Sequence, residues 1–531
     1  MRGILMNKAG DTSERRATSG NGLSAFTALT LLGSCLLLGA CVGDITDFDS
    51  SDSDSDELDL FCPEVITNNG PVSAHAPPAP FPDIASAAQT DNSGRDASSD
   101  SGNTSTISPR ADNCSIEARK VWVYDAMRDY YLFADQVPDS IDLAQYADEQ
   151  ELIEALRVEP YDRFSYITDA STYEAQFEKG EIWGYGWQTS AQGEDILFAY
   201  IDPGSPADTA GLERGDKLAS LNGYTVAEYR ELPVETRKAI FGENGTPTTV
   251  TIGYIRGGAA TVEVDVTSGS YLLETVTDTR VIERGNHKIG YFNYLQFNNP
   301  SRTALADAIE ELETAGVNEL VVDLRFNPGG RATVASEFGA RIGACKVMGQ
   351  EFGTIAFNER YDDQDLTWDF PGHAIKLELD RVYFLVSDDS CSASEMLIES
   401  LKPYMDVVVV GDTTCGKPYG TMARERCGKA LNLVETVWSN ASGEGDYYEG
   451  LAPDCPALDD TSIALGADDE VLLSNALAHI ESGSCSTPNA AGESRLAARM
   501  GSAATSNEDW TDPALVELAS QLNDGARGLR F

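Results

Sequence analysis

Hydrophobic and polar positions change rhythm several times along this chain, and the changes mark out its parts. An apolar run at residues 23–38 follows the basic residues Arg2, Lys8, Arg15 and Arg16. It falls short of the roughly 20 residues that a bilayer-spanning helix needs, and a short apolar run behind a basic start has the form of an export signal. Polar and small residues dominate from 42 to 112, most heavily in Ser50-Ser51-Asp52-Ser53-Asp54-Ser55-Asp56. Too little apolar surface is available there to offset the entropy of ordering, so a disordered acidic tether is expected. Helical spacing then appears at Ile116, Val121, Val123, Met127, Tyr130, Tyr131 and Leu132, and again at Leu152, Ile153 and Leu156. Two short helices are predicted, ending at Pro160-Tyr161-Asp162-Arg163-Phe164-Ser165-Tyr166, and residues 113–178 read as a small helical cap.

Glycine punctuation takes over in residues 179–270. Gly184-Tyr185-Gly186-Trp187 precedes the strand-like run Ile196-Leu197-Phe198-Ala199-Tyr200-Ile201, and Gly204-Ser205-Pro206-Ala207 opens a short helix closed by Gly211-Leu212. Lys217-Leu218 and Leu221-Asn222-Gly223 add strand, turn and strand. Between 271 and 482 the runs Ile289-Gly290-Tyr291-Phe292, Leu320-Val321-Val322-Asp323-Leu324, Val382-Tyr383-Phe384-Leu385-Val386 and Val407-Val408-Val409-Val410 suit buried strands. Helical periods at 304–314 and 395–401 separate them, which argues for an α/β core. From 483 to 531 the chain is small and polar, with one helix-like stretch at 512–522 to which no chemistry is assigned. The 531 residues therefore predict a multidomain α/β (α+β) protein.

Charge narrows the partners. With 38 Lys+Arg against 86 Asp+Glu, the net charge of −48 repels phosphate backbones, so nucleic acid is not an expected partner. Leu38-Gly39-Ala40-Cys41 resembles a bacterial lipoprotein lipobox. That resemblance implies a signal peptide at 1–40, acylation of Cys41, a tether at 41–112 and a lipid anchor in the bacterial cell envelope. Val42 rather than Asp after the cysteine implies, by the same analogy, the outer membrane. Cys62, Cys114, Cys345, Cys391, Cys415, Cys427, Cys455 and Cys485 remain, an even number that reads as disulfides in an exported chain. Cys415 with Cys427 and Cys62 with Cys114 are the expected pairs. No CxxC pair occurs, and there are only four histidines, His75, His287, His373 and His479; neither a metal nor another cofactor is expected.

The chemistry concentrates at Ser390-Cys391-Ser392-Ala393-Ser394-Glu395, which follows a predicted strand and opens a predicted helix. A nucleophile there faces helix N-terminal amides, which stabilise developing negative charge. Its hydroxyl needs a base. Histidine is the usual one, but His75 lies in the tether and His287, His373 and His479 sit in no catalytic-looking turn. Lys417, in Cys415-Gly416-Lys417-Pro418 just after the Val407–Val410 run, is the economical alternative. A lysine serves only when neutral, which requires an apolar pocket lowering its pKa from about 10.4 toward ~7–8. Alone, Ser392 would be a helix cap and Lys417 a surface cation; together, with strand context and a glycine turn, they read as a site.

These residues resemble the C-terminal processing, or tail-specific, serine proteases over residues 113–480. The resemblance rests on Asp323-Leu324-Arg325-Phe326-Asn327-Pro328-Gly329-Gly330, on Ser392-Ala393-Ser394-Glu395 and on Gly416-Lys417, with the family's Ser-to-Lys spacing of 25. It implies a crotonase-like catalytic core at 271–482 with Ser392 as nucleophile and Lys417 as general base. The N–H groups of Ala393 and of Gly329 or Gly330 would form the oxyanion hole. Residues 179–270 resemble a PDZ domain, which implies a carboxylate-binding loop at Gly184, Tyr185, Gly186 and Trp187 and a polypeptide substrate held by its C-terminus. Many members carry Gln four residues after the lysine, where this chain has Thr421; Thr421 and Glu395 are the candidates to orient the base. Cys391 and Cys415 beside the dyad read as disulfide partners, with redox gating as a sharper idea. A catalytically weak peptide-binding scaffold of the envelope is the alternative reading, and a histidine-dependent esterase a third.

Overall fold

The computed structural model describes residues 114–372, 376–486 and 518–523. The signal, Cys41, the tether, Cys62, His75 and His373 lie outside the described residues. The first helix, Ile116–Asp129, starts where Ser115 accepts a hydrogen bond from the Ala118 N–H. It buries Val123, Ala126 and Met127 against Leu152, Ile153 and Leu156 of the helix Glu149–Leu156. Both predicted helices are present. β1 (Tyr166–Asp169) continues the segment and pairs with a strand more than 250 residues away.

A small β domain follows. β2 (Glu181–Gly184) leads into β3 (Trp187–Gln192), β4 (Asp195–Ile201), β5 (Lys217–Leu221), β6 (Tyr224–Thr225), β7 (Thr249–Ile255) and β8 (Val262–Thr267), and β9 (Gly269–Leu272) returns to pair with β2. The order β3-β4-β5-β7-β8 leaves β3 at an edge. Asn222 and Gly223 link β5 to β6 with φ of 49° and 81°, the left-handed pair that a tight hairpin requires.

The remaining strands divide between two sheets. β10 (Val276–Arg284), β11 (His287–Tyr294) and β12 (Glu319–Asp323) begin the first, and β13 (Glu351–Phe357) and β14 (Leu366–Asp369) belong to the second. β15 (Arg381–Val386) and β16 (Asp406–Gly411) rejoin the first, β17 (Tyr419–Arg426) and β18 (Lys429–Ser439) the second, and β19 (Cys455–Pro456) ends the first. The first sheet runs β10-β11-β12-β15-β16-β19, parallel from β11 onward, and the second runs β1-β18-β13-β14 with β17 on β18. Each apolar run predicted as a buried strand contributes to this parallel sheet. Its continuous hydrophobicity follows from being covered on both faces. Helices Ser301–Ala315, Ala332–Gly343 and Ala393–Leu401 pack on one side through Leu305, Phe338 and Leu397, and helix Val471–Ser482 on the other through Leu473 and Ala476. Polypeptide leaving the carboxyl ends of parallel strands is where open α/β sheets place their sites.

Three disulfides join described cysteines: Cys114–Cys427, Cys391–Cys415 and Cys455–Cys485; Cys345 is disulfide-bonded as well. Neither expected pair forms. Cys415 and Cys427 flank the eight-residue strand β17, which holds its ends roughly 25 Å apart. Cys114 is engaged by Cys427, which excludes Cys62 as its partner.

Candidate active site

Beyond β15 the chain turns sharply. The Ser390 hydroxyl donates to the Leu324 carbonyl at 2.8 Å and accepts from the Ser387 N–H at 3.0 Å, and the Cys391 N–H donates to the Asn327 carbonyl at 3.1 Å. Ser392 follows with φ 54° and ψ −112°, a conformation a non-glycine residue keeps only when its surroundings enforce it. It caps the helix Ala393–Leu401, every residue of which is buried, while Ser392 itself retains partial exposure. The nucleophile candidate thus stands at the open end of a buried helix.

The glycine turn abuts it. A Cβ on Gly329 would lie 2.8 Å from the Ser392 Cβ and 2.9 Å from the Ala393 nitrogen, so no side chain fits there. The Gly329 N–H donates to the Asn327 side chain at 2.9 Å. Among the described residues the N–H groups of Gly330 and Ala393 have no hydrogen-bond partner, which distinguishes the two glycines named from sequence. Arg325 underpins the turn. Fully buried, it pairs with Asp323, Glu470 and Asp459, and Asp459 also binds Arg214 of the β domain at 2.6 Å.

Lys417 arrives from the other side on the loop after β16. One carboxylate gathers both halves. Glu395 Oε2 accepts from the Ser392 N–H at 3.0 Å and the Lys417 N–H at 2.8 Å, and Oε1 accepts from the Gly416 N–H at 2.7 Å and the Thr414 hydroxyl at 2.5 Å. Burial pushes the Glu395 carboxyl up against the opposing effect of those donors. The Cys391–Cys415 disulfide, with Cα atoms 5.2 Å apart, and the Cys415 N–H to Ser390 carbonyl bond at 3.0 Å add two further ties. With their sulfurs bonded to each other, these cysteines offer no thiolate to a metal.

The Lys417 amine lies over the Phe164 ring, 5.1 Å from its centroid. The Phe164 and Tyr419 ring centroids are 6.3 Å apart, and Tyr419 meets Phe133 and Tyr448, giving the amine an aromatic surround. Desolvation pushes its pKa down to about 8, against the smaller opposing pull of the Asp162 and Glu395 charges. Asp162 is buried; Oδ1 accepts from the Phe164 and Ser165 N–H groups at 2.9 Å each, and Oδ2 has no hydrogen-bond partner. No hydrogen bond joins the Lys417 amine to the Ser392 hydroxyl among the described residues.

Other candidates fall elsewhere. Thr421 sits on β17 opposite Val434, with no hydrogen bond to Lys417, and Glu395 is the residue that grips the lysine's backbone. His287 opens β11 at the amino end of the parallel sheet, 3.4 Å from Glu319, and His479 bonds the Tyr383 hydroxyl at 2.9 Å. Neither belongs to the Ser392 turn. In the β domain, Gly186 has φ 84°, and a Cβ there would strike Ser205 at 2.1 Å. The Tyr185 and Gly186 carbonyls accept from Ala207 and Asp202, and the Tyr185 and Trp187 rings are buried. Phe164, Asp162 and Arg325 did not stand out as chemistry in the sequence; the only signal was a charged residue flanked by aromatics in Tyr161-Asp162-Arg163-Phe164.

Residues 288–457 match the pattern of Peptidase family S41, and residues 118–166 that of the Peptidase S41 N-terminal domain. The chain is 26% identical over 313 residues to the carboxy-terminal processing protease CtpA of Bacillus subtilis (strain 168), covering 56% of this chain and 61% of that protein. It is also 26% identical over 277 residues to a CtpA-like serine protease of Staphylococcus aureus (strain COL), covering 52% of each. Both relatives are thus matched over less than two thirds of their length. A crystal structure described as an S41 protease from Bacteroides fragilis NCTC 9343 superposes with a TM-score of 0.55 at 25% identity, covering 68% of this chain and 97% of that one.

Proposed function

We propose, on the match of residues 288–457 to Peptidase family S41, that this chain is a serine endopeptidase working through a Ser392/Lys417 dyad. The observation that carries the reading is the single Glu395 carboxylate on which the backbones of both residues converge, beside an amine whose pKa is pushed down to about 8. A neutral Lys417 amine takes the proton of the Ser392 hydroxyl as the oxygen attacks a substrate carbonyl. The tetrahedral oxyanion is held by the Ala393 N–H and, with Gly329 engaged by Asn327, by the Gly330 N–H. Lys417, now an ammonium, donates its proton to the departing amine, and water then hydrolyses the acyl-enzyme with the lysine again as base. The hydroxyl and amine are not hydrogen-bonded to each other here, and contacts of this kind tighten when substrate is bound.

The substrate is a polypeptide. Its C-terminus is held by a PDZ-like module at 179–270, where β3 lies at the edge of its sheet beside the loop at 184–187. The module feeds a crotonase-like core, and a lipid on Cys41 keeps the enzyme in the bacterial envelope, at the outer membrane. Turnover of an unfolded protein such as casein tests the activity. Ser392→Ala and Lys417→Ala should each lower kcat by at least ~1000-fold while the fold, read by circular dichroism, is unchanged. Undiminished cleavage by Lys417→Ala would sink the dyad, and a scaffold would show no turnover in the parent either.

A further inference from the structure

The open edge of β3 is not bare. Helical residues 518–523 lie against it, with Leu518, Ala519 and Leu522 only 2%, 4% and 2% exposed in the same apolar cluster as Trp187, Ala191 and Phe241. The polar contacts are the more telling. The Asn523 side chain accepts from the Thr189 N–H at 2.5 Å and donates to the Thr189 carbonyl at 3.0 Å. The Thr189 hydroxyl shares its one proton between Asn523 Oδ1 at 2.9 Å and the Ala519 carbonyl at 3.1 Å.

Thr189 faces Phe198 of β4 in a pair that exchanges no backbone bonds, since the Phe198 N–H and C=O meet Asp216 and Gly215, so the N–H and C=O that meet Asn523 are the pair a further strand would take. One carboxamide thereby reproduces the donor and acceptor of an added peptide residue. Helices draw most of their stability from tertiary packing, and residues 518–523 pack their apolar side chains into the core of the β domain. A segment of the same chain also has a high effective concentration at its own docking edge.

We infer that residues 518–523 are a built-in ligand of the β3 edge, and that an incoming polypeptide end reaches this edge only by displacing them. The inference rests on the reading of that edge as the substrate's groove, and it names the competitor already seated there. The ligand class is a short amphipathic segment with apolar residues spaced three to four apart and a carboxamide next to the last, as in Leu518, Ala519, Leu522 and Asn523.

The test uses a chain ending at Ser486 in the Ser392→Ala background and a fluorescein-labelled peptide with the sequence of residues 512–526. The shortened chain should bind the peptide saturably, and the full-length chain at least ~10-fold more weakly, because its own segment competes. Replacing the peptide's Asn523 by Ala should cost another ~10-fold, the order expected for several hydrogen bonds lost together. A shortened chain that keeps its circular dichroism and cooperative melting yet ignores the peptide overturns the inference. Should shortening unfold the protein, full-length Leu522→Glu/Asn523→Ala replaces it. That variant should bind a labelled peptide with a free C-terminal carboxylate several-fold better than the parent, and equal binding overturns the proposal. Because binding is read without turnover, a failed peptidase reading shows separately, as an inactive wild type. A docking peptide that the carboxylate-ended peptide cannot displace overturns the competition.

Discussion

The two halves of the proposed active site are built in different ways. Ser392 is placed by its near neighbours: a strand, a turn whose Ser390 hydroxyl is tied to Leu324, and a helix whose third residue, Glu395, reaches back to the Ser392 N–H. Lys417 is placed by distant ones. Its amine rests on Phe164, more than 250 residues earlier, and feels Asp162 through that neighbourhood. A nucleophile can be positioned by local backbone geometry, whereas a lysine base needs removal from water, and only surfaces brought together by folding can exclude water. The segment read from sequence as a cap thus lines the surroundings of the Lys417 amine.

The contrast is most exposed to failure at its most local point. Gly329→Ala places a methyl 2.6 Å from the Cys391 carbonyl and 2.8 Å from the Ser392 Cβ at a φ of 98°, so the turn must move. Turnover of casein should fall by more than ~100-fold, the scale of a lost oxyanion contact. Activity near wild type would show that the glycine turn does not shape the oxyanion site.

Glu395→Gln tests the joint between the halves. The carboxylate accepts four hydrogen bonds, and an amide turns one acceptor oxygen into a donor facing N–H or O–H groups. Each buried donor left unsatisfied costs roughly 1–3 kcal/mol. Melting should fall by several degrees and kcat by ~10–100-fold; an unchanged melting temperature would mean that the loop and helix are held together by other means.

Asp162→Asn probes the distant half. With its pKa pushed down to about 8, Lys417 is ammonium and inactive at lower pH, so kcat/KM should rise with pH and reach half its plateau near 8. The Asp162 charge favours the ammonium, so removing it lowers the lysine pKa further and moves the limb to lower pH, by up to about one unit. Asparagine keeps an acceptor for the Phe164 and Ser165 N–H groups, so the fold is preserved. A limb that stays in place or moves upward would remove Asp162 from the base's environment.

The smallest effect is expected at the disulfide. Cys391→Ser/Cys415→Ser removes one tie between the halves, but the Glu395 contacts and the bond from the Cys415 N–H to the Ser390 carbonyl remain. Kinetics with and without reductant should differ by less than ~3-fold, since most of the bracing does not depend on the sulfurs. A loss of about 100-fold would make the disulfide a redox gate.

Much of this was legible in the amino-acid order. Continuous apolar runs such as 320–324 and 382–386 announce buried parallel strands, because a strand covered on both faces needs no alternation. Ser392, Glu395 and Gly329-Gly330 sit in short stretches whose local geometry follows from residue type: a cap, a back-reaching carboxylate, a turn without side chains. Residue order was enough to specify these elements and to single out a serine and a lysine whose backbones meet on one carboxylate. Folding settled the rest: which glycine keeps a free N–H, which cysteines meet, that Phe164 and Asp162 neighbour the Lys417 amine, and that residues 518–523 lie on the edge of β3. Such features depend on segments far apart in the chain sharing one volume, and no local propensity or spacing records that proximity.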